Sequence, residues 1–190
     1  MDLTEKPLSG DYAYRGRIIR LRVDQVELPN GRCSSREVVE HPGGVGVVAL
    51  TEDGQVLLVQ QYRYPYRQVL TEIPAGKRDP GEDPLTTGRR ELAEETGMTA
   101  DRFEPLGVLY PSPGYTDEVI YLYLATGLHA SAAHPDEDEF LHVVRQPLEQ
   151  LVEQVLAGTL PDAKTQIALL KTWQRFRRQD KPAAAHETED

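Results

Sequence analysis

The stretch Gly76-Lys77-Arg78-Asp79-Pro80-Gly81-Glu82-Asp83-Pro84-Leu85-Thr86-Thr87-Gly88-Arg89-Arg90-Glu91-Leu92-Ala93-Glu94-Glu95-Thr96-Gly97-Met98 organises the reading of this chain. Asp83-Pro84 supplies a side-chain acceptor for orphan amides and a residue pre-set for the first helical turn; Thr96-Gly97 supplies a stop. The spacing therefore predicts a helix from Asp83-Pro84 to Thr96-Gly97. At about 100° per residue, Glu91, Glu94 and Glu95 fall within an arc of about 100° on one side. Leu85 and Leu92 lie on a neighbouring arc that can face a core. Gly88, one turn before Glu91 and Leu92, costs about 1 kcal/mol against alanine, so close approach to another element must justify it.

Like charges three and four residues apart weaken a helix by a few tenths of a kcal/mol per pair. Arg89 and Arg90 offset part of that. A hard divalent cation with oxygen ligands offsets far more, and Mg²⁺ favours a few carboxylates with waters and phosphate oxygens. An isolated Glu-Glu pair is most often a solvated face; the upstream spacing decides otherwise here. Gly76, then five residues, Glu82, then seven, Arg90-Glu91-Leu92, one more, Glu94-Glu95, one more, Gly97-Met98 is the whole signature of the Nudix hydrolases, which this chain resembles.

That resemblance implies an α/β fold, the Nudix α/β/α sandwich with a mixed sheet. It implies hydrolysis of a nucleoside diphosphate linked to another moiety, by divalent metal and a water nucleophile. Glu91 and Glu95 would ligate metal, with Glu94 as a further ligand or neighbour of the base. Glu82 would sit near the metal cluster through water, Arg90 would orient one of the glutamates, and the carbonyl of Ala75 would be a metal ligand too. Mg²⁺ is the expected cofactor, with Mn²⁺ or another divalent cation as substitute. Bound metal neutralises the diphosphate and lowers the pKa of attacking water.

Three more stretches resemble the ADP-ribose pyrophosphatase subfamily: Gln60-Gln61-Tyr62-Arg63, Glu72-Ile73-Pro74-Ala75-Gly76-Lys77, and Tyr110-Pro111-Ser112-Pro113-Gly114-Tyr115-Thr116-Asp117-Glu118. Pro113 stands sixteen residues beyond Gly97, the offset of ADP-ribose hydrolases. By this resemblance Arg63 and Glu72 hold the adenine or diphosphate end. The Ser112-Pro113-Gly114 loop approaches the terminal ribose, where glycine lets backbone groups come close. The acidic run Pro135-Asp136-Glu137-Asp138-Glu139 corresponds to the loop that supplies a base in some members, with Glu139 favoured over Glu137. Such runs are otherwise usually just solvated. The expected products from ADP-ribose are AMP and ribose 5-phosphate. The alternatives are another nucleoside diphosphate sugar such as GDP-mannose, or a module that senses ADP-ribose without cleaving it. Retention of every signature glutamate speaks against the last.

Outside the signature, Gly16–Leu28 and Arg36–Glu40 alternate apolar and polar residues around a Pro29-Asn30-Gly31 turn, predicting a small antiparallel sheet over residues 1–42. The resemblance implies that this sheet pairs with its counterpart in a homodimer, with Arg15, Arg17 or Arg20 a candidate to reach the neighbouring site. His41-Pro42-Gly43-Gly44 marks the boundary to a catalytic domain over 43–178. Strands are expected at Val45–Leu50 and Gln55–Gln60 around Asp53-Gly54, then at Val69–Ile73, Leu106–Tyr110, Val119–Ala125 and Phe140–Val144. Pro147 opens a helix to Leu156, and Ala163–Arg178 forms another, where Trp173 and Phe176 serve packing. Residues 179–190 read as a disordered polar tail.

A net charge of −10 among 190 residues argues against nucleic acid as partner, since phosphate backbones demand a basic face. A metal ion can still bring a small phosphorylated ligand to an acidic surface. No apolar run approaches the ~20 residues of a membrane span, and no secretory leader is visible. The single cysteine, Cys33, has no disulfide partner in the chain and no His or Asp pattern that would make it a nucleophile. The expected compartment is the cytoplasm. His41 and His142 lack partner constellations and read as structural or surface residues.

Overall fold

The computed structural model describes residues 2–131 and 140–179. Three strands, β1 (Lys6–Arg15), β2 (Arg20–Glu27) and β3 (Cys33–Glu40), form a separate antiparallel sheet in that order. The run expected as one strand from Gly16 instead begins in a turn, with the Gly16 amide donating to the Ile19 carbonyl at 2.9 Å. β1 escaped the pattern because Pro7, Ser9, Gly10 and Asp11 break its alternation; pairing with β2, through two register shifts, holds it extended. At the Pro29-Asn30-Gly31 turn, Gly31 takes φ 78°, which a side chain would resist.

The second sheet contains β4 (Gly44–Leu50), β5 (Gln55–Arg63), β6 (Gln68–Glu72), β7 (Ala75–Lys77), β8 (Met98–Leu109), β9 (Ile120–Ala130) and β10 (His142–Pro147). Its main path runs β10-β5-β4-β9-β8, while β6 pairs with β5 and β7 with β4. The β4–β9 pair is parallel and the others are antiparallel, so the sheet is mixed as expected. β8 starts directly after the signature helix, well before the expected Leu106, because Met98–Ala100 pair with β9 residues Leu128–Ala130.

Three helices complete the fold: α1 (Pro84–Thr96), α2 (Leu148–Leu156) and α3 (Ala163–Gln179). Every residue of β4 is buried. Side chains alternate across a strand, so Val45, Val47 and Ala49 meet Leu92 of α1, while Val48 and Leu50 join Leu151 of α2 and Leu169 of α3 on the opposite face. A strand apolar on both sides needs a layer on each, which gives the α/β/α sandwich. Trp173 and Phe176 pack against the α2/α3 core, as expected. A Cβ on Gly88 would lie 3.1 Å from Val45 Cγ1 and 3.4 Å from Val47 Cγ2, so this glycine lets α1 settle closely on β4.

Leu92 is fully buried, whereas Leu85 is only half-buried. Leu92→Ala should therefore cost about 2–5 kcal/mol in urea unfolding, and Leu85→Ala distinctly less. Equal losses would show that α1 does not pack as described.

Candidate active site

The capping of α1 aims its acidic face. Asp83 Oδ2 accepts from the amides of Leu85 (3.0 Å) and Thr86 (3.2 Å), and Gly97 closes the helix in the left-handed region at φ 65°. Between these caps Glu91 and Glu95 are buried against β7. The Ala75 amide donates to Glu95 Oε2 at 2.8 Å. A Cβ on Gly76 would fall 1.9 Å from the Glu91 carboxylate, so glycine there makes room for that carboxylate.

Arg90 is the hub. It donates to Glu82 through Nε (3.2 Å) and Nη2 (3.0 Å), and through Nη1 to Glu91 (2.8 Å) and Glu94 (2.9 Å). Nη2 also reaches the Lys77 carbonyl at 3.2 Å. Glu82 accepts further from Thr87 Oγ1 (2.8 Å) and the Asp79 amide (3.2 Å). The Arg90 guanidinium, against some burial and helped by Thr87 and Asp79, pulls the Glu82 carboxyl down to about 2. The Arg90 pKa is raised in return, first by Glu82.

This face opens on a cleft of about 770 Å³ whose wall includes Ala75, Gly76, Arg90, Glu91, Glu94 and Arg63. Of the expected substrate residues, Arg63 lines the cleft, while Glu72 lies behind it, 1 % exposed and gripped by Arg63 Nε and Nη2 at 2.7 Å each. Burial works to raise the Glu72 pKa, yet Arg63 and Lys164 outweigh it and hold the carboxyl below its ordinary value. Ser112 lines an adjoining cavity of about 440 Å³ with Tyr66, Pro111 and Tyr115. An added Cβ at Gly114 meets open space, so nothing in the described chain itself demands glycine there. The loop holding Ser112-Pro113-Gly114 is anchored to the N-terminal sheet: the Val39 amide donates to the Tyr115 carbonyl at 2.7 Å, and the Asp117 amide to the Val39 carbonyl at 3.2 Å. Glu137 and Glu139 lie outside the described residues, as do residues 180–190.

Several wall residues were not expected from the sequence. Ile18, in the β1–β2 turn, reaches the cleft. His41, read from sequence as structural or surface, lines it too, beside Glu118 at 3.4 Å from Nδ1 to Oε1. Lys164 lines both cavities from the first turn of α3 and meets Glu72, far away in sequence. No local pattern could flag that pair.

Residues 40–170 match the family model described as the NUDIX domain. The chain belongs to the Nudix family. Residues 5–42 match the nucleoside diphosphate sugar hydrolase N-terminal domain, the three-stranded sheet described above. Among similar proteins, the methanol dehydrogenase activator of Bacillus methanolicus is 44 % identical over 167 residues, 87 % of this chain and 90 % of its own. The ADP-ribose pyrophosphatase of Bacillus subtilis (strain 168) is 42 % identical over 169 residues, 88 % of this chain and 91 % of its own. The GDP-mannose pyrophosphatase of Cronobacter sakazakii is 34 % identical over 144 residues, 70 % of this chain and 75 % of its own. A crystal structure described as an ADP compounds hydrolase superposes with a TM-score of 0.83, covering 96 % of this chain and all of that one; at 24 % identity it supports the Nudix fold alone. The chain is thus a Nudix hydrolase, with the signature glutamates in the arrangement described. Among the described residues no helix is long and apolar enough to cross a membrane.

The low Glu82 pKa has a consequence for acid stability. A carboxyl lowered on folding, from an ordinary 4.5 to about 2, contributes stability that is fully present above pH 4.5. That contribution is lost as pH falls toward 2. Glu82→Gln should flatten the stability profile across that window, read by circular dichroism against urea at each pH. An unchanged slope would contradict the Glu82–Arg90 assignment.

Proposed function

We propose that this Nudix hydrolase cleaves the diphosphate linkage of ADP-ribose to AMP and ribose 5-phosphate, with Mg²⁺ as cofactor and Mn²⁺ or another divalent cation as substitute. The observation that carries the reading is the acidic face of α1 opening on a cleft that also presents Arg63, in a chain with an ADP-ribose pyrophosphatase among its relatives.

The donor chemistry fits such a cation. Glu91, Glu94 and Glu95 offer only hard oxygen donors, with the Ala75 peptide and Glu82 beside them. Among the described residues no group of three His, Cys, Asp or Glu converges on one point, and Arg90 takes an oxygen from both Glu91 and Glu94. Glu91, Glu95 and Glu94 would hold the metal, with the Ala75 carbonyl as ligand and Glu82 linked through water. When bound, it supplies charge neutralisation for the diphosphate and a lower pKa for the attacking water. Arg90, bonded to Glu82, Glu91 and Glu94, offsets the repulsion among those three carboxylates. Arg63, oriented by Glu72, offers a cation to the diphosphate or the adenine end. Ser112, Pro113 and Gly114 are assigned to the ribose end. The water proton is assigned to Glu139, ahead of Glu137, by family resemblance.

GDP-mannose is the second reading, favoured by the relative described as a GDP-mannose pyrophosphatase. The N-terminal residues 1–42 are assigned to homodimerisation, residues 43–178 to catalysis, and 179–190 to a disordered tail. Exposed Leu3, Leu8 and Tyr14 in and beside the small sheet support the dimer, which light scattering would check. Small nucleoside diphosphate sugars, rather than nucleic acid or membrane, are the assigned partners, in a cytoplasmic setting.

The test is a nucleotide panel with Mg²⁺ in ¹⁸O-water, with products identified by mass. ADP-ribose should give the highest kcat/KM, and Glu91→Gln or Glu95→Gln should each lower kcat at least about 100-fold with the fold retained. A higher kcat/KM for GDP-mannose would move the substrate assignment.

A further inference from the structure

Lys164 stands where the cleft and the adjoining cavity meet, lining both while only 12 % exposed. Its ammonium donates to Glu72 Oε2 and, at 3.0 Å, to Asp162 Oδ1. Arg63 clasps the same Glu72 carboxylate along its Nε/Nη2 edge. Two cations and two carboxylates therefore alternate, Arg63–Glu72–Lys164–Asp162, from the end of β5 to the first turn of α3. Arg63 also feels the charge of Asp162. A guanidinium has five N–H donors, and Glu72 occupies only one edge of it. How much of Arg63 is left for a ligand then depends on whether a second carboxylate competes for it.

We propose that Lys164 is a positioning residue for the anionic part of the ligand: by neutralising Asp162 and sharing Glu72, it leaves Arg63 to face the cleft. The inference rests on reading the cleft as a diphosphate site. Without the ammonium, Asp162 and Glu72 would share a single cation, and both would draw the guanidinium away from the ligand. Asp162 is also tied to the start of α3, where its Oδ2 accepts from the Thr165 amide (3.0 Å) and Thr165 Oγ1 (2.5 Å). Asparagine performs that capping equally well while lacking the charge, so the two roles of Asp162 can be separated.

The experiment measures pyrophosphate binding by calorimetry in EDTA and ADP-ribose kinetics in Mg²⁺, on the full chain. Lys164→Met should weaken pyrophosphate binding and raise KM about tenfold, on the scale of one charge-assisted hydrogen bond. Its kcat should stay within about twofold of wild type, the signature of lost binding rather than lost chemistry. Lys164→Gln, which keeps a donor without the charge, should show the same loss and stands in should Lys164→Met fold poorly. Adding Asp162→Asn to either should restore most of the affinity, which a merely structural lysine or one touching the ligand directly would not allow. Failure of that restoration, or a fall in kcat at unchanged KM, would overturn the proposal. Absence of ADP-ribose turnover by wild type would sink the substrate assignment, while the pyrophosphate measurement would still decide the role of Lys164.

Discussion

Carboxylates crowded on one helical turn repel, and here a single guanidinium keeps them together. Arg90 touches Glu82, Glu91 and Glu94 at once, and through the Lys77 carbonyl it also holds the end of β7, from which the loop carrying Glu82 departs. The loop and the helix are thereby fastened around one charge. Gly76 completes the arrangement by leaving the space that Glu91 fills. Each like-charge pair costs only tenths of a kcal/mol on an exposed helix, but burial of Glu91 and Glu95 makes their surroundings matter more.

Behind that acidic face lies β4, buried on both sides and paired to β5, β7 and β9. It sets the height of α1 through Gly88 and that of β7 through the pairing of Gly46 with Ala75. The opposite wall depends on another buried charge, Glu72. A buried carboxylate needs paired cations and satisfied oxygens, and Arg63 and Lys164 provide them. Thr165 links the same corner to the main chain by accepting from the Ile73 amide at 2.9 Å. The basic side of the cleft is therefore assembled from β5, β6 and α3, and the acidic side from α1 and β7.

The small N-terminal sheet is coupled to this cleft within its own chain. Val39 of β3 bonds to the backbone of Tyr115 and Asp117, His41 donates its amide to Asp117 Oδ1 at 2.9 Å, and Ile18 reaches the cleft wall. Residues 5–42, which match the nucleoside diphosphate sugar hydrolase N-terminal domain, thus contribute to the wall of the cleft as well as forming their own sheet.

The sequence by itself determined the signature helix, its caps, the carboxylate face and the family, because each rests on contacts within a few residues. Asp83 caps the amides of Leu85 and Thr86, Gly97 bonds back to Ala93, helical spacing alone puts Glu91, Glu94 and Glu95 on one side, and the turns at Gly31 and Gly54 close on Leu28 and Thr51. Only the tertiary structure decided the rest. β1 and the first half of β8 are strands because distant partners pair with them, against weak local alternation. Glu72 and Lys164 are 92 residues apart, and His41 meets Glu118 only once the two sheets are docked. The face of a helix can be counted along the chain; the opposite wall of a cleft depends on which strands lie side by side.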